Sequence, residues 1–439
     1  MKKRCYIALF LCFFSGAGTG ALDFDSDAYG DIAAYLDAIY GADDNAGLTA
    51  FPLLNIPIGG RAEALASSFG AVADDASFLE CNPAASSRLD RSELAFFHNN
   101  WIADTKIEGL VFTYRIGNLG LAAGARWLYT PFSEYDILGN RVSKGYYSEA
   151  ETILNGSYNF FPDYNFSGLS LGLNLKGAFR FVPDFADSES GKPSSGSGWE
   201  QSAAMMMADI GLLTRFDLLK FYRARREKNS SLSLVIRNIG PPVRGEGLPT
   251  TITAALAYKP IRTLLFSFDF FLPLNLENIK LSEKPYWALG LAVDLTGFLT
   301  MQGGIRMKNG SCRLVLGSTL NITGWNRETG NTGSSGNLAL DINYSVDMLT
   351  RIQMLSRLSM AIRVDLGDQG RAAKADKVDA LYLEGLDAYA LNRYEEAREC
   401  WKQALELDSR YLPAALGLAV VEEALALQRR METLQQLDF

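Results

Sequence analysis

The sequence lacks a long apolar run, has little proline and a single histidine, and carries no excess of positive charge. Its 439 residues include 14 prolines, 5 cysteines and 1 histidine, with 42 Lys and Arg against 50 Asp and Glu. A net charge of −8 makes the chain a poor candidate for binding nucleic acid. A helical protein with several membrane spans is excluded, because no mature segment approaches the roughly 18 apolar residues that a span needs. A membrane β-barrel is still allowed, because its alternating strands average to the near-zero mean hydropathy seen here.

The first 21 residues have the features of a secretory signal peptide. Lys2, Lys3 and Arg4 precede a short apolar core from Tyr6 to Phe14, and small residues follow as far as Ala21. A segment of this kind directs export and is too short to remain as a membrane anchor. We therefore expect an exported protein.

The remaining cysteines and the single histidine give no sign of a catalytic or metal site. Cys81, Cys312 and Cys400 are far apart and odd in number, without the spacing of a metal site or a disulfide framework. An outer-membrane lipase would need a serine and an orienting polar residue beside its histidine, and nothing marks such a serine for His98. We expect no enzyme activity, no cofactor and no bound metal.

A period-two pattern runs from about residue 93 to residue 366 and predicts strands with one apolar and one polar face. In one segment the apolar residues are Leu338, Leu340, Ile342, Tyr344 and Val346. About fourteen such segments, each roughly ten residues long, are centred near residues 98, 112, 124, 154, 174, 210, 235, 255, 268, 291, 304, 317, 342 and 362.

The polar set of these strands carries the charges, and the apolar set carries none in the clearest strands. A Lys or Arg on the lipid-facing side of a membrane barrel would cost about 2–4 kcal/mol at the bilayer midplane, which explains this separation. The pattern favours a transmembrane barrel with a polar lumen over the alternative, a soluble periplasmic β-protein with an apolar interior. Among the charged residues assigned to the lumen are Lys176, Arg180, Arg215, Arg237, Asp269, Arg313, Asp341 and Arg363.

Connection lengths predict how the barrel is oriented. With a periplasmic N-terminus, the long connections 131–147, 183–202, 240–249 and 274–285 face outwards. Two inner connections, near 219–230 and 324–336, are longer than inner turns usually are. The connection lengths therefore determine the number of strands only to within two.

Residues 22–92 do not alternate, and their many Gly and Ala residues predict thin, closely packed helices that form a hatch. The sequence here resembles the long-chain fatty-acid transporter family of outer-membrane proteins, in an uncharacterised spirochaetal branch. Similar motifs precede the first barrel strand in that family, although Ala85 stands where the family usually has Gly. The residues that carry the resemblance are Gly60, Arg61, Ala62, Ala73, Asp74, Asp75, Asn82, Pro83 and Ala84.

The resemblance implies a fourteen-stranded barrel that is plugged by its own N-terminus and passes hydrophobic molecules with acidic heads. Under that reading, the lumen cations Lys176, Arg180, Arg215 and Arg313 meet a substrate carboxylate. The alternative is that these cations pair with lumen acids and only stiffen the barrel.

Beyond Gly367 the composition shifts to Ala, Leu, Glu and Arg, and residues 379–408 resemble a tetratricopeptide repeat. Small, aromatic and packing residues fall at the positions that such a helix pair needs, namely Gly385, Tyr394, Ala397, Trp401, Ala404 and Leu405. A partial second repeat follows from about Leu412 to Leu427, below the three units normally needed for independent stability. We expect the tail to dock on the barrel rim or on another protein.

The predicted fold class is mainly β: a transmembrane antiparallel β-barrel of about 14 strands with an N-terminal hatch and a small α-helical C-terminal repeat. The expected divisions are the signal peptide 1–21, hatch 22–92, barrel 93–366, linker 367–377 and helical tail 378–439. An even strand count places both mature termini in the periplasm. The predicted function is outer-membrane transport of hydrophobic, fatty-acid-like molecules, and the alternative is a scaffold or secretion accessory that recruits a periplasmic protein through residues 378–427.

Overall fold

The computed structural model describes most of the barrel and tail. The described residues are 34–35, 41, 43–102, 104–135, 138–164, 166–183, 201–222, 227–308, 310–323, 337–347 and 355–437. The predicted signal peptide lies outside them, as does most of the first part of the predicted hatch, up to residue 42.

Fourteen antiparallel strands form a closed barrel in which neighbours in sequence pair with each other and β1 pairs with β14. This confirms the predicted fold class and strand count. The strands are β1 Ser92–Asn100, β2 Lys106–Ile116, β3 Leu119–Tyr135, β4 Arg141–Phe160, β5 Leu169–Phe181, β6 Ala203–Phe216, β7 Ser230–Ile239, β8 Thr250–Ile261, β9 Leu264–Leu274, β10 Tyr286–Thr296, β11 Leu299–Lys308, β12 Ser311–Thr323, β13 Asn337–Asp347 and β14 Leu355–Gly367.

The apolar set of the strands faces outwards and the polar set faces the lumen. On β5 the outward Leu173 and Leu175 are 44% and 51% exposed, whereas the alternating Asn174 and Lys176 are 0% and 3% exposed. Because successive side chains of a strand point to opposite faces, the exposure of these four residues determines which face every other residue of β5 occupies. A soluble barrel would have the opposite arrangement.

Strands β3 and β4 are longer than expected, so the predicted outer loop 131–147 is wrong over most of its length. The two strands stay paired out to Tyr135 and Arg141, and the pair Thr130 and Tyr147 lies well inside the ladder. Connection length, on which the prediction rests, does not distinguish a loop from paired strands that extend beyond the apolar band. Backbone pairing continues regardless, because side chains beyond the apolar band need only be soluble on both faces.

The tail packs against the end of the barrel where β1 starts and β14 ends, which we call the tail end; the opposite end is the loop end. Three helices make up the tail: α2 Arg371–Ala390, α3 Tyr394–Leu407 and α4 Leu412–Leu437. Helix α2 starts inside the expected linker, because the Asp368 carboxylate accepts hydrogen bonds from the backbone N–H groups of Gly370 (2.9 Å) and Ala372 (2.7 Å). No helix in the described part of the chain is long and apolar enough to span a membrane.

Trp401 is the centre of the tail core. Its indole N–H donates to the Tyr382 carbonyl (3.2 Å), and a Cβ at Gly417 would lie 2.9 Å from its ring. The tail also touches the barrel, since the rings of Tyr164, from the β4–β5 connection, and Tyr411 meet edge to face at 5.7 Å. The expectation that the tail docks on the rim is confirmed by this contact.

The segment inside the barrel, residues 50–91, is called the plug from here on. It contains one short helix, α1 Gly60–Ala64, and 3₁₀ turns at Pro52–Asn55, Ala76–Glu80 and Pro83–Arg88. The predicted series of thin helices is therefore wrong. Positive φ angles at Ala66 (54°) and Ser67 (72°) end the α-helix after little more than one turn.

We predict that a side chain at Gly172 unseats the plug. A Cβ there would overlap the backbone of Pro83 and Ala84, so Gly172→Val should destabilise the folded barrel by about 1–3 kcal/mol. The thermal midpoint of purified protein measures this effect. The matched control is Gly156→Val, on the outer face of β4, where a Cβ meets no atom within 4 Å. Equal midpoints for the two variants would contradict the fit of plug to wall.

Candidate functional site: the plug and the lumen around it

The plug contacts the barrel wall around most of its circumference. Gly59 lies against Ser359 of β14, Leu65 against Gly290 of β10, and Ala66 against Gly304 of β11. On the other side, the hydroxyls of Ser86 and Ser157 on β4 are 2.6 Å apart. The plug therefore closes the lumen by fitting the wall rather than by resting at one edge.

Inward-facing glycines let the plug backbone approach the wall closely. A Cβ at Gly304 would lie 2.5 Å from the Leu65 carbonyl carbon and 2.7 Å from the Ala66 nitrogen. At Gly120 a Cβ would overlap the Ser86–Ser87 peptide. Since glycine in a strand normally weakens it, its use here marks the places where two backbones must touch.

Two of the hatch motifs come together through one arginine. The Arg61 guanidinium lies 2.5 Å from the Asp74 carboxylate and 3.1 Å from that of Asp75. Asp75 also caps a 3₁₀ turn by accepting the Ser77 N–H at 2.8 Å. Gly60 has a φ of 65°, and a Cβ there would press on Phe97 at 2.8 Å.

The third motif fixes the turn that leads into the barrel. The Asn82 amide donates to the Gly70 carbonyl at 2.7 Å, and its oxygen accepts from the Ala84 N–H at 3.0 Å. The Pro83 carbonyl accepts from the amide of Asn155 on β4 at 2.9 Å. These motif residues hold the plug in shape and attach it to the wall.

A buried ion network joins the plug to the last strands. Arg363 on β14 lies 2.9 Å from the Asp341 carboxylate, 3.2 Å from that of Asp75 and 3.6 Å from that of Glu93. Burial alone would raise the pKa of Asp75, but Arg363 and then Arg61 bring it below its usual range. The carboxylate is thus kept charged inside the barrel.

A second network lies nearer the loop end. Glu63 of the plug pairs with Arg357 at 3.2 Å, and Asp347 accepts from both Arg357 (3.3 Å) and Arg313 (2.7 Å). The Trp101 ring covers the Arg357 guanidinium at 3.8 Å from its centroid. This network, like the first, joins a charged residue of the plug to charged residues of the wall.

The four cations predicted for the substrate lie in different environments. Lys176 pairs with Asp209 (2.8 Å) and Glu151 (3.4 Å), and Arg313 pairs with Asp347. Arg180 lies 3.2 Å from Glu246 near the loop end. These contacts favour the stiffening role for three of the four.

Arg215 differs, because it donates to the plug carbonyls of Val72 (3.2 Å) and Ala73 (3.5 Å) and has no carboxylate at ion-pair distance in the described structure. It lines a cavity of about 670 Å³ at the tail end, between the plug and the wall. Arg88, Arg115 and Lys259 line the same cavity.

Several acids of the site were missed from the sequence. Glu63 and Glu80 lie in the plug, where no periodic pattern marks an inward position. Glu149 and Glu151 lie on β4, the strand with one of the weakest alternations, yet they share the parity of Asn155 and so point inwards. The alternation along β4 therefore indicates from the sequence that these two glutamates face the lumen. Among the described residues no cluster of acidic, histidine or cysteine side chains could hold a metal ion.

Residues 32–369 match the profile of the Uncharacterised protein family UPF0164. The chain belongs to this family. A UPF0164 protein of Treponema pallidum (strain Nichols) is 28% identical over 393 residues, which cover 86% of this chain and 83% of that protein. Another from the same organism is 31% identical over 252 residues, covering 52% and 48% of the two chains. The description of the UPF0164 family names no substrate, so fatty-acid transport stays a prediction.

Residues 378–411 match the tetratricopeptide repeat, which confirms the predicted repeat in this UPF0164 member. Among solved structures, the CymD monoaromatic hydrocarbon channel aligns with a TM-score of 0.47 and 11% identity, over 72% of this chain and 98% of that one. At that level of similarity nothing about substrate or activity passes from one protein to the other.

We predict that Arg363→Met loosens the plug. It leaves the carboxylates of Asp75 and Asp341 buried without their shared cation, which costs about 3–5 kcal/mol for a buried pair. Conductance across a planar bilayer should therefore rise above that of the wild type.

The control is Arg91→Met at the same end of the barrel. Arg91 is 48% exposed and pairs with Asp365, and an exposed pair contributes only about 0–1 kcal/mol. Its conductance should match the wild type. If the conductance of Arg363→Met also matches that of the wild type, the ion network around Arg363 does not hold the plug in place.

Proposed function

We propose that this protein is an outer-membrane transporter that passes hydrophobic molecules with an acidic head group, such as long-chain fatty acids, and that the plug is its gate. The apolar outer face supports placement in outer-membrane lipid, since ten strand residues tilted by about 40° cover roughly 25 Å of bilayer. Both mature termini then lie in the periplasm, and the tail end faces it.

The observation that carries the proposal is the plug itself, a separate segment seated in the lumen of a complete barrel. The fourteen strands close on one another without it, so the plug is not needed to complete the sheet. Its contacts with the wall include many hydrogen bonds and ion pairs, which water can replace when the plug moves. A gated transporter needs a segment that can move within the lumen while the barrel around it stays closed.

The substrate class is supported by the two kinds of surface that the plug covers. Leu65, Phe69 and Phe78 belong to an apolar cluster shared with wall residues such as Phe97. Cationic side chains line the adjoining tail-end cavity. A molecule with an apolar chain and an acidic head finds a matching partner for each part.

We predict that a disulfide between plug and wall stops uptake. The Ser86 and Ser157 hydroxyls are 2.6 Å apart, so cysteines at both positions can bond after small shifts. The double variant S86C/S157C, in a Cys400→Ser background, should take up no oleate when oxidised and recover when reduced. Radiolabelled oleate uptake by a bacterial host without its own outer-membrane fatty-acid transporter measures this.

The control disulfide joins two wall positions and leaves the plug free. Thr105 and Thr130 have hydroxyls 2.8 Å apart beside β2 and on β3, so T105C/T130C forms under the same oxidation. Its uptake should be unaffected by redox state. Undiminished uptake by the oxidised plug variant, or no uptake by wild-type protein that is folded in the membrane, would contradict the proposal.

A second candidate function is a scaffold that recruits a periplasmic protein through residues 378–427, and one observation favours it. Helix α4 packs Ala414, Val421 and Leu425 into the tail core. Its opposite face exposes Leu416 (60%), Leu427 (54%) and Met431 (62%). In an array of repeats that face would be covered by the next repeat, so a protein partner is the matching occupant.

The two functions are separated by the double variant L416E/L427E. The scaffold role predicts that a periplasmic partner recovered with the wild-type protein is lost, while oleate uptake and the thermal midpoint of the barrel are unchanged. The matched control is Leu383→Glu, which changes an exposed leucine of α2 instead of α4. Loss of uptake with the partner still bound would assign the tail to transport instead.

A further inference from the structure

We propose that the cavity at the tail end is a binding site for an amphiphile with an anionic head, whose head group is held by Arg88, Arg115 and Arg215. As an exit site for transported acid the inference rests on the proposed function, but the site itself is defined by the cavity and its charges. The cavity provides about 670 Å³ of space.

The three guanidinium groups are held in place by neutral oxygens. Arg88 donates to the Ser167 hydroxyl (2.9 Å) and carbonyl, and Arg115 donates to the carbonyls of Gly117 (2.9 Å) and Leu89 (2.8 Å). Carbonyl groups orient a guanidinium without neutralising it. Arg215 is held in the same way by the plug, as described above.

Acids also line the cavity, Asp90, Glu227 and Asp294 among them, but in the described part of the chain they form no ion pair with these three arginines. None of the three arginines has a carboxylate within ion-pair distance among the described residues, and Asp90 acts on Arg88 and Arg115 only from farther away. Burial and the neighbouring charges of Arg215 and Arg115 lower the pKa of Arg88 to about 9. An anion in the cavity would relieve this repulsion and receive charge-assisted hydrogen bonds.

Two other arginines of the same cavity provide the contrast. Arg61 and Arg363 also reach this cavity, but each is matched by carboxylates, Arg61 by Asp74 and Asp75. Arg88, Arg115 and Arg215 are therefore the cavity-lining arginines that form no ion pair among the described residues, and an anionic ligand can supply that partner.

Part of the wall of this cavity is apolar. Leu265, Ala257 and Ala292 line it, and the last two are 4% and 5% exposed. A short alkyl chain attached to the anionic head can lie against these residues. This pairing of surfaces distinguishes an amphiphile from a small inorganic anion.

The test is equilibrium binding, measured by calorimetry with the full chain in amphipol and with octanoate as the probe. Octanol and inorganic phosphate supply the two halves of the ligand separately. We expect saturable octanoate binding and at least about tenfold weaker binding of either other probe, since each loses one set of contacts. Phosphate or octanol binding as tightly as octanoate would overturn the amphiphile assignment.

The double variant R88Q/R215Q should weaken octanoate binding by about tenfold or more, because two charge-assisted bonds are lost. The matched control, Arg141→Gln, removes an exposed arginine at the loop end and should bind as wild type does. Equal octanoate affinity in the double variant and the control would overturn the site.

Removing two arginines that bond to the plug and the wall could also disturb folding, so a second variant decides in that case. Lys259 lines the cavity, and the described structure gives its side chain no hydrogen bond or ion pair. Lys259→Gln therefore removes charge without breaking a contact, and it should weaken octanoate binding by roughly twofold to fivefold. Unchanged affinity in this folded variant would count against the site.

The two proposals fail in different ways. Oleate uptake without octanoate binding would contradict the binding site and leave the transport function standing. Octanoate binding without oleate uptake would contradict the transport function and leave the binding site standing.

Discussion

Charges buried between the plug and the barrel wall are the interaction on which the rest of this structure depends. An ion taken out of water costs several kcal/mol unless a partner and hydrogen bonds compensate it. Arg363 pairs with one acid from the plug and two from the wall, and Arg357 pairs with one from each. The plug therefore cannot leave its seat without either exposing these groups to water or leaving them unmatched.

The same networks explain why the hatch motifs have their particular residues. Arg61 and Asp75 are parts of a chain of charges that continues to Arg363 and Asp341 on the wall. Asn82 and Pro83 attach the following turn to the plug and to β4 through main-chain oxygens. The inward glycines make room for both attachments. The motifs build a fitted, charged closure, and the apolar face of each strand points outwards, away from it.

How much could be foreseen depended on whether a residue belonged to a repeating pattern. The fourteen strands and the direction of their apolar face followed from alternation, and the tail helices followed from the repeat. The ends of β3 and β4 did not, because polar residues outside the apolar band look the same in a strand and in a loop. The acids of the plug were hidden for a related reason, since Glu63 and Glu80 occupy an irregular segment whose inward positions only the tertiary structure defines. Arg215 was singled out by parity, but nothing local indicated that its partners would be carbonyls rather than carboxylates.

The central claim is that the plug moves as a gate while the barrel stays closed. Hydrogen exchange of the protein in membranes, measured with and without oleate, tests it most directly, because each peptide reports its own segment. The account predicts that oleate speeds the exchange of amides in residues 58–91 and leaves the strands between residues 92 and 367 protected. Plug amides that stay as protected as the strands while oleate is taken up would contradict it.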